Sequence, residues 1–355
     1  MNAATGTDAD DPYPPARFDP GIAHPARVYA CWLGGKDHYA ADREVASEVA
    51  RARPEVVTAA RANRAFGQRV TGYAAAGLRI RQFLDIGAGL PAPGPTHEIA
   101  QKISPACRVV YADYDPLVLA HARALLTAGP DAQPCSYLHG DVRDPAALLD
   151  AAGAVLDFTR PVAVLLLAVL HFVPDADDPA GIVKQFAAAL APGSLIAISH
   201  LTGDYAPDQV AEGTAAYNAR VPIAVHPRSR EQLTAICGAV PIQHPGVVPV
   251  NFWFPSLRES PGPAVDLHAA VLRLPLPARI TTAARPLTRP QPSPQEQAAE
   301  LERTSARFPA YEITTDLTAG RLRYVARARR LSTHPYLVIA STLTELTAEL
   351  SSARA

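Results

Sequence analysis

RQFLDIGAGLP, Arg81 to Pro91, decides how the rest of the chain is read. Phe83 to Ile86 is a short apolar run carrying Asp85, and two glycines follow it. A buried parallel strand ends this way when it passes into a loop whose backbone a ligand can touch. Asp85, Gly87 and Gly89 form the pattern D-x-G-x-G. The glycines permit positive φ and leave no Cβ between the main chain and a nucleotide-like molecule. Taken alone the pattern is weak, because plain strand-to-turn punctuation reads the same way.

Downstream segments sharpen it. Pro91, Pro93 and Pro95 delay the next helix until Thr96, which reads as its N-cap, and the helix runs to Ile103. A second strand, Arg108 to Ala112, ends at Asp113. An acidic residue there offers two acceptor oxygens to the two hydroxyls of a ribose. Asp115 and Pro116 read as N-cap and first residue of a helix to Leu126. A third strand, Ser136 to His139, leads to Gly140-Asp141-Val142, where a carboxylate can accept an adenine amine while the next backbone N–H meets a ring nitrogen. A fourth strand, Pro161 to Leu167, precedes His171. The fifth unit is a helix over Asp178 to Leu190 and a strand over Ser194 to Ser199, with His200 just beyond. Five strand-helix repeats predict an α/β fold with a Rossmann-like, doubly wound sheet and ligands at the carboxyl ends of its strands.

Upstream, residues 1–24 are rich in Pro and Asp and are expected to be disordered. Gly34 to Arg43, GGKDHYAADR, is too polar for a core and reads as a loop or an N-terminal helical lid. Helices are expected over Arg43 to Arg53 and Val56 to Ala76, the latter carrying Arg61, Asn63 and Arg64. Beyond the repeats, a helix over Asp208 to Ala219 covers the site, Ser229 with Gln232 forms a capping box, and Val247 to Phe254 completes the sheet. The main domain is thus read as 25–255. Residues 256–292 read as a Pro/Arg-rich linker with a short helical turn at His268 to Leu274, and 293–355 as a small α+β accessory module.

Composition narrows the function. With 48% hydrophobic and 19% charged residues and a net charge of -1, the chain is globular and gives no electrostatic reason to bind nucleic acid. From Arg273 onward there are twelve Arg, no Lys and seven acidic residues, a basic surplus that reads as a solvated face. Cys31, Cys107, Cys135 and Cys237 are scattered, which argues against a zinc site and fits a reducing cytoplasm. The longest apolar run, Val162 to Leu170, is short of the roughly 20 residues that a membrane span needs.

Two cofactors compete for the site. A dinucleotide wants a third glycine and a prompt helix under its pyrophosphate. Here the third position is Ala92, flanked by Pro91 and Pro93. S-adenosylmethionine has no phosphate and needs carboxylates for ribose and adenine, which Asp113 and Asp141 supply.

At this point the chain resembles the class I S-adenosylmethionine-dependent methyltransferases, and among them the actinobacterial DUF574, or S-adenosyl methyltransferase, family. The matching stretches are PARVYACWLGGKDHYAADRE, RANRAF, QFLDIGAGLPAPGPTHEIAQ, VVYADYDPLVLAHARALL, YLHGDVRDPAALL, AVLHFVPDADDPAGIVKQFAAALAPGSLIAISHLTGD and HPGVVPVNFWFP, spanning about 25–255. The resemblance implies methyl transfer, with Asp85, Gly87 and Gly89 around the amino acid end of the cofactor, Asp113 on the ribose, and Asp141 with Val142 at the adenine. It also implies that the GGKD segment folds over the cofactor, with Arg64 or Lys36 near its carboxylate. The departures are Ala30-Cys31-Trp32, where relatives often begin with Asp-Tyr, and the extra C-terminus.

His171 and His200 are the candidate catalytic bases, being placed after the fourth and fifth strands. The methyl acceptor is read as a small molecule, and the C-terminal module is the place for a protein partner. The alternative is a non-catalytic regulator that binds S-adenosylmethionine without turning it over.

Overall fold

The computed structural model describes residues 19–115, 118, 135–254, 262–276, 294–318, 321–328, 337–340 and 342–352. The reading of 1–24 as disordered falls mostly outside these residues, as does the helix expected from Pro116 to Leu126.

Three helices come first: α1 (Pro25–Trp32), α2 (Ala40–Ala52) and α3 (Val56–Gly72), the last continued by a π-turn at Tyr73–Gly77. The strands β1 (Gln82–Ile86), β2 (Arg108–Asp113), β3 (Ser136–His139), β4 (Ala163–Leu167) and β5 (Leu195–Leu201) follow. Between and after them lie α4 (Thr96–Ile103), α5 (Pro145–Ala152), α6 (Pro179–Ala189), α7 (Pro207–Asn218) and α8 (Arg230–Cys237). Two further strands, β6 (Val248–Pro249) and β7 (Leu267–Arg273), complete a seven-stranded sheet of order β3-β2-β1-β4-β5-β7-β6. The five strands β1 to β5 pair in parallel, and β7 runs antiparallel to β5 and β6. The order reverses at β1 and β4, and this is the point where doubly wound sheets hold ligands.

Side chains on successive strand residues serve opposite faces. Phe83, Val109, Tyr111 and Leu165 join a core with Val28, Val49, Phe66 and Tyr73 from the N-terminal helices. Leu84, Val110, Val164 and Ile196 join the opposite core with Leu148, Ile182, Phe186 and Leu233. Every residue of β1 is therefore buried, as a central parallel strand requires. Trp253 is fully buried, edge-on to Phe66 (5.3 Å between ring centroids) and Tyr73 (5.7 Å), so residues just past the fifth repeat lock α3 onto the sheet. Asp42, also fully buried, accepts bonds from Arg27 Nε and from the His24 and Tyr39 backbone N–H groups, which ties α1 to α2.

Three expectations are corrected. His268 to Leu274 is no helical turn: Leu267–Arg273 is a central strand, buried over most of its length, and the sheet runs past residue 255. β5 extends to Leu201, so His200 lies inside the strand. Thr96 is the first residue of α4, with Pro95 in the cap position.

At the C-terminus, α9 (Pro294–Arg307), β8 (Tyr311–Thr318), β9 (Arg321–Ala328), β10 (Leu337–Ala340) and α10 (Leu343–Ser352) form an antiparallel sheet of order β10-β9-β8 under two helices. Phe308, Tyr311, Leu346 and Leu350 belong to its own apolar cluster. Among the described residues, no helix is long and apolar enough to cross a membrane.

Candidate functional site

A cavity of about 700 Å³ opens at the carboxyl ends of β1 to β4, beneath α1, α3 and α7. Of the residues singled out from the sequence, Arg64, Asp85, Gly87, Gly89, Asp113, Asp141, Val142 and His171 line it. Its three acidic lining residues, Asp85, Asp113 and Asp141, follow from the ends of β1, β2 and β3.

At the end of β1, Gly87 has φ +70°, and a Cβ there would fall 2.7 Å from Val169 Cγ2. Gly89 has φ +66° and faces open space, so ligand atoms can approach its backbone. Asp85 accepts a bond from Thr96 Oγ1 at 2.6 Å. Burial pushes its carboxyl upward, and the Thr96 hydroxyl and Arg64 pull it part of the way back. The helix that starts after the proline loop carries Thr96 as its first residue, and its hydroxyl is the one bonded to Asp85.

Asp113 is the hinge of the site. One carboxylate oxygen accepts the Gly89 N–H at 2.9 Å and the other accepts the Asp115 N–H at 2.9 Å. Each oxygen keeps a second lone pair for a hydroxyl donor. Burial raises this carboxyl to about 6, against the pull of the backbone donors at Asp115 and Gly89. Asp141 sits at the rim. Its partial burial favours the neutral acid, but bonds from the Arg143 backbone and guanidinium outweigh that and hold it below the usual carboxylate range. Val142 is buried beside it.

Arg64 lines the cavity but is fastened to the proline loop, with Nη2 donating to the Ala92 carbonyl at 2.9 Å. Asn63, one residue earlier, is buried, and its Nδ2 donates to Tyr29 Oη at 3.0 Å. Because the Tyr29 hydroxyl spends its proton on the Ala60 carbonyl, the amide orientation is fixed and Asn63 Oδ1 is left as an acceptor without a partner. Among the described residues, five buried side-chain polar atoms are bonded to nothing. Four of the five, Arg53 Nη2, Asn63 Oδ1, Thr214 Oγ1 and Tyr217 Oη, belong to residues that line this cavity. A buried unmade bond costs about 1–3 kcal/mol, so unsatisfied polar groups are concentrated in the residues around this cavity.

Two sequence expectations fail. Lys36 is exposed and does not line the cavity; Gly34 and Gly35 of the same segment do, so the segment reaches the site through backbone. His200 is fully buried and does not line the cavity either. Its Nδ1 donates to the Leu201 carbonyl at 2.8 Å, and its Nε2 accepts from Arg228 Nη1 at 2.9 Å. With both nitrogens engaged and burial lowering the ring to about 4, His200 is a neutral structural residue and not a base.

His171 does reach the cavity. Its Nδ1 accepts the Leu201 N–H at 3.4 Å, which leaves the proton on Nε2. Burial, His200 and Arg228 together lower it well below the ordinary histidine range, so it stays neutral and presents a donor. The sequence reading passed over Arg53, Thr214 and Tyr217, the first at the end of α2 and the other two on α7, which form no motif. Among the described residues there is no group of three or more His, Cys, Asp or Glu able to hold a metal ion.

The sequence pattern of the S-adenosyl methyltransferase family matches residues 12–275. A DUF574 family protein from Streptomyces avermitilis MA-4680 is 38% identical, with a TM-score of 0.69, covering 72% of this chain and 99% of its own. A protein from Thermobifida fusca YX, named as a candidate methyltransferase, is 33% identical, with a TM-score of 0.67, covering 74% of this chain and 99% of its own. No curated protein matches the chain. The strand-end carboxylates, the open glycine loop, the family pattern and these two likenesses converge: the chain belongs to the S-adenosyl methyltransferase family and is an S-adenosylmethionine-dependent methyltransferase.

Proposed function

We propose that the enzyme methylates a small-molecule acceptor, with the cofactor laid along the ends of β1, β2 and β3. The observation that carries this reading is the state of Asp113: a buried carboxylate that braces the Gly89 loop and still has one lone pair free on each oxygen. Two ribose hydroxyls match those lone pairs. Asp141 and the Val142 backbone then receive the adenine, with Arg143 sharing the carboxylate. At the other end of the cofactor, Asn63 Oδ1 and Asp85 accept from the ammonium, while Gly87 and Gly89 let the chain pass close. Arg64 steadies the loop around the carboxylate, and Lys36 has no part in the reading.

When bound, S-adenosylmethionine supplies a methyl carbon activated by its sulfonium, with the leaving thioether taking the electron pair of the broken C–S bond. The protein's task is then alignment more than activation of a nucleophile. His171 fits that task as a neutral donor: Nε2–H orients the acceptor atom next to β4 without competing for the methyl. The proton of the acceptor passes to solvent. Residues 294–352 are read as an accessory module offering a surface to a protein partner.

Incubation with methyl-labelled S-adenosylmethionine and a metabolite extract of the native host tests the reading. A labelled small product is expected. Tight cofactor binding with no labelled product would favour a regulator that senses the cofactor.

A further inference from the structure

Arg53, Thr214 and Tyr217 are brought together by one glycine. α2 packs along α7, and a Cβ on Gly213 would meet Arg53 Cβ at 3.2 Å and Cδ at 3.7 Å. A side chain at 213 would crowd Arg53, so the glycine lets Arg53 lie close against α7, which carries Thr214 and, one turn on, Tyr217. Arg53 is then fixed from behind: its Nε donates to Asp266 Oδ2 at 3.0 Å, both side chains being buried. Asp266 takes Nε alone, and Nη2 on the same edge has no partner among the described residues. Tyr217 Oη and Thr214 Oγ1 also lack partners among the described residues, and His171 takes the Leu201 N–H on Nδ1, which leaves its proton on Nε2. Phe172, next to His171, sets its ring 6.5 Å from that of Tyr217.

The chemical sense of this group is uniform. Arg53 Nη2 and His171 Nε2 can only donate, and the two hydroxyls are free to do so. No acidic residue lines this end: the three in the cavity belong to β1, β2 and β3, whereas these residues follow β4 or stand on α2 and α7. Val49, Val56, Ala59 and Leu267 supply an apolar wall around them. Three unsatisfied donor groups, on Arg53, Thr214 and Tyr217, belong to residues that line this apolar end, with the carboxylates kept to the opposite end, which describes a receptor for an oxyanion on an apolar body.

We propose that this end of the cavity is the acceptor subsite and that it selects a methyl acceptor bearing a carboxylate on an apolar, ring-sized body. Arg53, Tyr217 and Thr214 hold the carboxylate, and Phe172 with the apolar wall holds the body. The inference rests on the methyltransferase reading for the word acceptor, but the carboxylate preference follows from the donors alone.

Benzoate and its neutral analogue benzamide are the probes, titrated by calorimetry into the full chain with and without saturating S-adenosylhomocysteine. Benzoate should bind at least about tenfold more tightly than benzamide. Tyr217→Phe and Thr214→Val should each weaken benzoate by about threefold to tenfold while leaving S-adenosylhomocysteine affinity and the melting temperature undiminished. That combination separates a ligand contact from a structural one, because the hydroxyls removed are bonded to nothing. Arg53→Lys is the stronger variant, but it disturbs Asp266, so the hydroxyl variants carry the decision. Equal binding of the two probes, or unchanged benzoate affinity in both variants, would overturn the subsite. Benzoate binding as expected with no S-adenosylhomocysteine binding would support the carboxylate site and overturn the cofactor assignment instead.

Discussion

The two ends of the cavity are built by opposite rules. At the ends of β1, β2 and β3 the polar atoms are mostly spoken for: Asp113 braces two backbone N–H groups, Asp85 holds Thr96, and Asp141 holds Arg143. Beyond β4, Arg53, Thr214 and Tyr217 keep polar atoms that no protein group satisfies. The first end is preorganised through its own loops and keeps spare lone pairs for a defined cofactor. The second stays unsatisfied until something arrives, which is how a site spends stability on selectivity.

This contrast predicts that damage to the first end is the more severe. Asp113→Ala removes two charge-assisted acceptors and frees the Gly89 loop, so S-adenosylmethionine affinity should fall by about 100-fold or more. Calorimetry on the variant checks this, and unchanged affinity would remove Asp113 from the cofactor site.

Acid should reproduce part of that loss without a mutation. Asp113 is raised to about 6 by burial, so it is ionised above that pH and protonated below it. Ribose hydroxyls donate to the ionised form, and binding therefore favours it. Cofactor affinity should hold steady above pH 7 and decline below about 6, by up to about tenfold per pH unit. A flat profile from pH 7 to 5 would show that the carboxylate is not in contact with the ligand.

Asn63→Ala deletes an acceptor that no protein group uses. Cofactor affinity should drop by about tenfold with little change in melting temperature, since only the Tyr29 contact is lost from the free protein. A large destabilisation with unaltered affinity would make Asn63 a core residue.

The smallest effect on chemistry should come from His200→Phe. Arg228 loses the acceptor at Nε2, and stability should fall by about 1–3 kcal/mol, read by denaturant unfolding. Turnover per folded molecule should be unchanged; a collapse of kcat in folded protein would restore His200 to the mechanism.

The same contrast explains what could be read from the chain in advance. The cofactor end follows from local spacing: D-x-G-x-G, Asp113 and Asp141 each close a strand in consecutive strand-helix units, so position along the sequence is position along the sheet. His200 was misplaced by two residues of strand length, and those two residues carry it from the loop into the core. Leu267–Arg273 was misread because a short apolar run rich in Ala and buried on both faces has no alternation to distinguish strand from helix. The acceptor end was invisible for a different reason. Arg53 is drawn to α7, with its Thr214 and Tyr217, and to Asp266 only by the packing of α2 along α7 at Gly213, a contact that no local pattern encodes.

The most direct test is the crystal structure of the complex with S-adenosylhomocysteine. Its ribose hydroxyls should lie within hydrogen-bond distance of both Asp113 oxygens, with the thioether sulfur directed toward His171 and the Arg53, Thr214 and Tyr217 end left open. A ligand lying the other way, its carboxylate seated on Arg53 and Tyr217, would contradict the division of the cavity into a cofactor end and an acceptor end.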